Sequence, residues 1–216
     1  MEKRHPTVQQ CRPGERGFSL VELIVSMLIT IIILGVAVVT FSNALGSRER
    51  EKSTTDAITS AQAALNIMSR EIGNSGYGLT TNGIVLADSG LNRLHFRTNT
   101  GNADYVTSGS GEDVTFYCDS CGQCSDGSAG SVLRYDQNTG ATSGIINRVS
   151  RVDFTYYNYT GTSAPVASQT AAANTGRVNI KLTVCLPVAR NQPNPGTVQV
   201  SADVTLRNSL FMRGQY

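Results

Sequence analysis

Tryptophan is absent from this chain of 216 residues, histidine occurs twice, and only 16% of the side chains are charged. The two histidines, His5 and His95, lie far apart in sequence. A His-based zinc site or a Ser-His-Asp triad would rest on His95 alone, and no nucleophile, base and orienting group stand out together. An enzyme is therefore the last function class to consider. Neither charge dominates: 18 Lys and Arg face 16 Asp and Glu, for a net charge of +2. No basic excess points to nucleic acid, and no acidic excess points to a disordered tail. The length suffices for one domain with a modest core, and the 21 glycines with low charge suit a β-rich or secreted chain.

What the chain does have is one long apolar run. Residues 1–17 (MEKRHPTVQQCRPGERG) form a short polar leader with Lys3, Arg4, Arg12 and Arg16 against Glu2 and Glu15. From Phe18 to Phe41 the chain then runs for 24 residues with a single charge, Glu22. As a helix this run spans about 36 Å at about 1.5 Å per residue, enough for a hydrocarbon core of about 30 Å. It is too long for the apolar region of an ordinary secretory signal, about 7–15 residues. Ser42-Asn43-Ala44 nevertheless resembles a small-x-small cleavage site, so a cut after Ala44 is one alternative. A plain membrane anchor with an incidental Glu22 is another.

Glu22 separates these readings. A carboxylate in a membrane helix costs up to about 2.5–3.5 kcal/mol at the bilayer centre, and less near an end. Its favourable position near a helix N-terminus returns about 0.3–1 kcal/mol. A plain anchor gains nothing else from it. The cost is repaid if the carboxylate meets a cation at matching depth on a neighbouring helix.

Gly17-Phe18-Ser19-Leu20-Val21-Glu22, after a basic leader and before a long apolar run, resembles the signature of type IV prepilins and type II secretion pseudopilins. The resemblance implies cleavage after Gly17 by a membrane prepilin peptidase, N-methylation of the new terminal Phe18, and pairing of Glu22 with the Phe18 amine of an adjacent subunit. It also implies an inner-membrane protein before assembly, with a cytoplasmic N-terminus and a periplasmic head. That protein later enters an extracellular pilus or a pseudopilus. Its implied partners are the peptidase/methylase, other pilins and minor pilins, and the inner-membrane assembly platform. The residues agree physically. Gly17 lacks a Cβ that would crowd a protease cleft, and apolar Phe18 keeps the new terminus near the interface. Charge alone orients the helix weakly, four leader cations against Arg48, Arg50 and Lys52 beyond it. The leader carries four of the 18 cations and two of the 16 acids, so the processed chain has 14 of each and is formally neutral.

Beyond the apolar run, Ala57, Ile58, Ala61, Ala64, Leu65, Met68 and Ile72 recur at helical spacing, and Gly73, Asn74, Gly76 and Gly78 stop them. The spacing predicts one helix from about Phe18 to Ile72. Residues 18–41 are its membrane and filament half, and residues 42–72 are its one-sided half, with Gly46 as a soft point. Residues 73–216 read as a β-rich head, so the expected fold is α+β, a long helix on an antiparallel sheet. Strand candidates are 83–86, 93–97, 114–118, 132–135, 149–159, 178–184, 198–200 and 204–206, with loops at 163–174 and 191–196. Met68 to Tyr77 and Val204 to Asn208 further resemble segments of PilW-type minor pilins. J-type pseudopilins share the same plan.

Cys11 falls in the leader, which leaves Cys118, Cys121, Cys124 and Cys185. In an exported domain four cysteines suit two disulfides, with three pairings open. One member of the cluster is expected to reach Cys185 while the other two close a small loop. A Cys₄ zinc site has the right count, but an oxidising compartment pairs thiols first. An iron–sulfur run and a redox CxxC fit less well, because the fourth cysteine is distant and no thioredoxin-like βαβ pattern surrounds the pairs. The acids of Asp119 to Asp126 miss the EF-hand spacing and read as a solvated loop. Tyr156, Tyr157 and Tyr159 read as cross-strand partners rather than an adhesive or stacking surface. Arg134, Arg148, Arg151, Arg177 and Arg190 form no run. No cofactor, metal or nucleic-acid partner is expected.

Overall fold

A computed structural model describes residues 17–101, 106–124, 129–160, 164–187 and 196–209. The chain divides into two compact units that meet between Leu45 and Gly46. One helix, α1 (Leu20–Gly73), supplies the described helical part of the first unit and the opening of the second.

The second unit is a seven-stranded antiparallel sheet with part of α1 packed on one face. Its strands are β1 (Arg93–Arg97), β2 (Asp113–Asp119), β3 (Gly130–Asp136), β4 (Thr142–Asn158), β5 (Val166–Ser168), β6 (Thr175–Cys185) and β7 (Thr197–Thr205). The order across the sheet is β1-β2-β3-β4-β6-β7, with β5 added beside β4. β4 is long because it serves different neighbours along its length. Residues up to Val149 pair with β3, and residues from Val149 onward pair with β6.

Alternation explains how the sheet faces the helix. Val178, Ile180, Leu182 and Val184 of β6 are buried, while the residues between them are partly exposed. Val152, Phe154 and Tyr156 of β4 sit opposite Leu182, Ile180 and Val178 and are buried with them. Ala61, Ala64, Leu65, Met68 and Ile72 line one side of α1 and close the same core. Small alanines let the helix backbone approach, and Met68 and Ile72 each contribute about 1.5–3 kcal/mol by burial. Arg134 of β3 donates from Nε to Glu71 Oε2 at 2.8 Å, which fixes the helix against the sheet.

Three strand expectations need correction. Residues 83–86 form no strand. Ile84 alone bridges to Phe96, Gly83 has φ +77°, and Leu86–Asp88 closes into a 3-10 turn. A side chain at Gly83 would collide with the backbone of Gly76, so glycine is required there. The 198–200 and 204–206 candidates are one strand, β7, carried through Ser201 and Asp203 by nine paired positions with β6. The 163–174 loop contains β5, which pairs with Tyr156, Tyr157 and Asn158 of β4.

Candidate functional site

The residues of the proposed processing signal open α1. Gly17 is exposed, and nothing lies within 4 Å of where its Cβ would be. Phe18 is 79% exposed. The helix begins as the Leu23 N–H donates to the Ser19 carbonyl at 3.1 Å, and Glu22 stands exposed in the first turn. The leader residues 1–16, including Cys11, lie outside the described residues. Leu20 to Phe41 expose their apolar side chains all round the helix. The hydroxyl side chains there turn inward to the backbone. Ser26 donates to Leu23 O at 2.9 Å, Thr30 to Ser26 O at 2.7 Å, and Thr40 to Ala37 O at 2.9 Å. Each hydroxyl is thus satisfied without water, as a lipid-facing helix requires. Among the described residues one helix is long and apolar enough to cross a membrane.

The four remaining cysteines form two disulfides, Cys118–Cys121 and Cys124–Cys185. The first closes a sequence separation of 3 at the end of β2, where Ser120 has φ +56°. The second spans a separation of 61 and ties this loop to the end of β6. Cys185 is buried, and the other three are partly exposed. Among the described residues no three His, Cys, Asp or Glu side chains are placed to hold a metal ion. Asp126 lies outside the described residues.

The two segments noted at the helix end and near the C-terminus meet in space. The Arg207 N–H donates to the Gly73 carbonyl at 3.2 Å, and Arg207 Nη1 donates to Asn74 Oδ1 at 3.2 Å. Asn208 Nδ2 donates to the carbonyls of Gly76, Leu79 and Thr81, the last two at 2.7 and 2.9 Å. Asn82 Nδ2 reaches the carbonyls of Ala172 and Thr175 at 3.0 and 3.1 Å. The Asn208 amide satisfies backbone acceptors that the turns after α1 leave over, and the Asn82 amide those of the chain entering β6.

Several ionisable groups are built into the head, and apart from His95 the sequence did not single them out for these contacts. Both ring nitrogens of His95 face carboxylates, Nδ1 at 2.9 Å from Asp88 Oδ2 and Nε2 against Asp113 Oδ1. Arg97 Nε donates to the other oxygen of Asp113 at 2.8 Å. The buried Glu112 carboxylate accepts from the backbone N–H groups of Gly101, Gly109 and Thr100 at 2.6, 2.8 and 2.8 Å. Those donors, Gly101 first, hold its pKa below the ordinary glutamate range against the opposing effect of burial. At Asp136 burial opposes ionisation, yet the N–H groups of Gly111 and Asn138 outweigh it and the pKa falls. No sequence pattern marks either site, because their partners are loop backbone.

Of the three tyrosines noted in the sequence, Tyr156 belongs to the core. Tyr156 is buried and donates to the carbonyls of Gly90 and Arg93 at 3.0 and 3.1 Å, and burial pushes its pKa up. The Arg177 guanidinium lies 3.9 Å from the centre of the Tyr157 ring. Arg190 lies outside the described residues.

Residues 12–38 match the family described as the prokaryotic N-terminal methylation motif. Comparison with curated proteins finds no match. Among solved structures, a type IV-like pilin from Thermus thermophilus is similar, with 11% identity over 70% of this chain and 97% of that chain, at a TM-score of 0.39. The chain thus joins an N-terminal methylation motif to an α+β architecture, a long N-terminal helix followed by an antiparallel sheet that packs on its second half.

Proposed function

We propose that this chain is a minor pilin precursor of the PilW type, a structural subunit that helps to prime a type IV pilus and acts at or near its tip. In this reading the leader ends at Gly17, a membrane peptidase/methylase exposes and methylates Phe18, and Glu22 pairs with the Phe18 amine of the next subunit. The apolar half of α1 anchors the subunit in the inner membrane before an assembly platform moves it into the filament. The head then carries any contribution to adhesion, twitching motility or DNA uptake. The supporting observation is the match of residues 12–38 to the methylation motif, with Gly17, Phe18 and Glu22 exposed at the start of an all-round apolar helix.

Co-expression with a prepilin peptidase, followed by intact mass and N-terminal sequencing, tests the reading. The expected product begins at N-methyl-Phe18. A retained leader, or a chain that begins at Leu45, overturns it. The same processed subunit also suits a J-like position in a type II secretion pseudopilus. Deletion scored for twitching and for exoprotein release separates the two.

A further inference from the structure

A second site lies in the head, where α1 passes the junction of β3, β4 and β6. Ser53, Asp56 and Ser60 of the helix, Asn147 and Arg148 of β4 and Val184 of β6 line an open cavity of about 230 Å³. Arg148 sits there at a cost. The ladder between β3 and β4 steps from Gly130 opposite Val149 to Ser131 opposite Asn147, so Arg148 is the extra residue of a bulge. Its φ is +62°, a left-handed conformation that such bulges ordinarily give to glycine.

Its side chain is equally unusual. Arg148 Nε is buried and has no hydrogen-bond partner, and no ion pair engages the guanidinium among the described residues. The other strand arginines are all engaged. Arg93 pairs with Asp88, Arg97 with Asp113, Arg134 with Glu71 and Arg151 with Asp153. Arg177 also has an unbonded Nε, but its guanidinium lies over Tyr157 and 3.9 Å from Asp203. A buried donor without a partner, in a strained residue on the wall of an open cavity, marks this guanidinium as uncommitted within the chain.

We propose that this cavity binds a carboxylate on Arg148. The guanidinium fork matches carboxylate geometry, and the hydroxyls of Ser53 and Ser60 and the amide of Asn147 supply further donors on the wall. A single cation matches a single negative charge. Asp56, on the same wall, disfavours a dianion such as phosphate and favours a carboxylate that carries a hydrogen-bond donor nearby. A dissolved small molecule or an acidic side chain of a second copy of this chain meets that description. The inference does not depend on the filament reading.

N-Acetylglycine, a monoanion with an adjacent N–H, is the probe. The full chain in detergent is labelled so that the Arg148 Nε–H resonance is resolved. Saturable movement of that resonance with N-acetylglycine, absent with the uncharged N-methylacetamide, supports a free carboxylate. Movement with rising protein concentration alone supports a second copy. No movement in either titration overturns the proposal.

Arg148→Gly supplies a second arm, because glycine fits the left-handed backbone. It is expected to weaken N-acetylglycine binding at least about tenfold, or to abolish the concentration-dependent association, while the melting temperature of the head rises. A fall in melting temperature with binding intact would mean that Arg148 is a packing element, and would equally overturn the proposal.

Discussion

Glu112 shows how a single carboxylate organises a loop. Its oxygens collect three backbone N–H groups, so the charged form is favoured in the folded state and its pKa lies below the ordinary range. The stabilisation is complete above the unfolded value of about 4.3 and is lost as pH falls through the lower folded value. Glu112→Gln should therefore lower the melting temperature most at neutral pH. The gap from the unaltered protein should narrow as the solution is acidified, which thermal melts across a pH series will check. Legibility at this scale followed chain distance. The methylation motif matched over residues 12–38 could be anticipated because the spacing of Gly17, Phe18 and Glu22 is linear. Glu112 could not, because its donors belong to a turn. Arg148 could not, because its backbone conformation follows from how β3 and β4 register.

The strands of the head were legible wherever alternation was strong. In β6, Val178, Ile180, Leu182 and Val184 announce their face. In β7, Ser201-Ala202-Asp203 leaves only a small alanine to carry the apolar signal, so one strand read as two. β5, at three residues, is too short to show a period. At the same scale the Cys124–Cys185 bridge links the loop after β2 to the end of β6. By restricting the unfolded chain it should contribute about 2–4 kcal/mol. Cys124→Ser combined with Cys185→Ser is expected to lower denaturant stability by about that amount. The Cys118–Cys121 bond should persist in the double variant, and a thiol count with a denaturation curve will check both.

For the molecule as a whole, the question is what the exposed carboxylate at the start of α1 is for. If it pairs between subunits, Glu22→Ala should leave membrane insertion unchanged and sharply reduce recovery in sheared filaments. Fractionation followed by immunoblotting distinguishes that from a loss of anchoring, and normal incorporation would refute the pairing role. The arrangement of cysteines along the chain bears on biogenesis as well. A polypeptide threaded outward from its N-terminal side delivers Cys118, Cys121 and Cys124 together and Cys185 much later. Closure of the tight Cys118–Cys121 ring withdraws two sulfurs before the last one arrives. Cys124 is then the one sulfur left for Cys185, so prior closure of the small ring, rather than the late arrival of Cys185, selects this connectivity from the three.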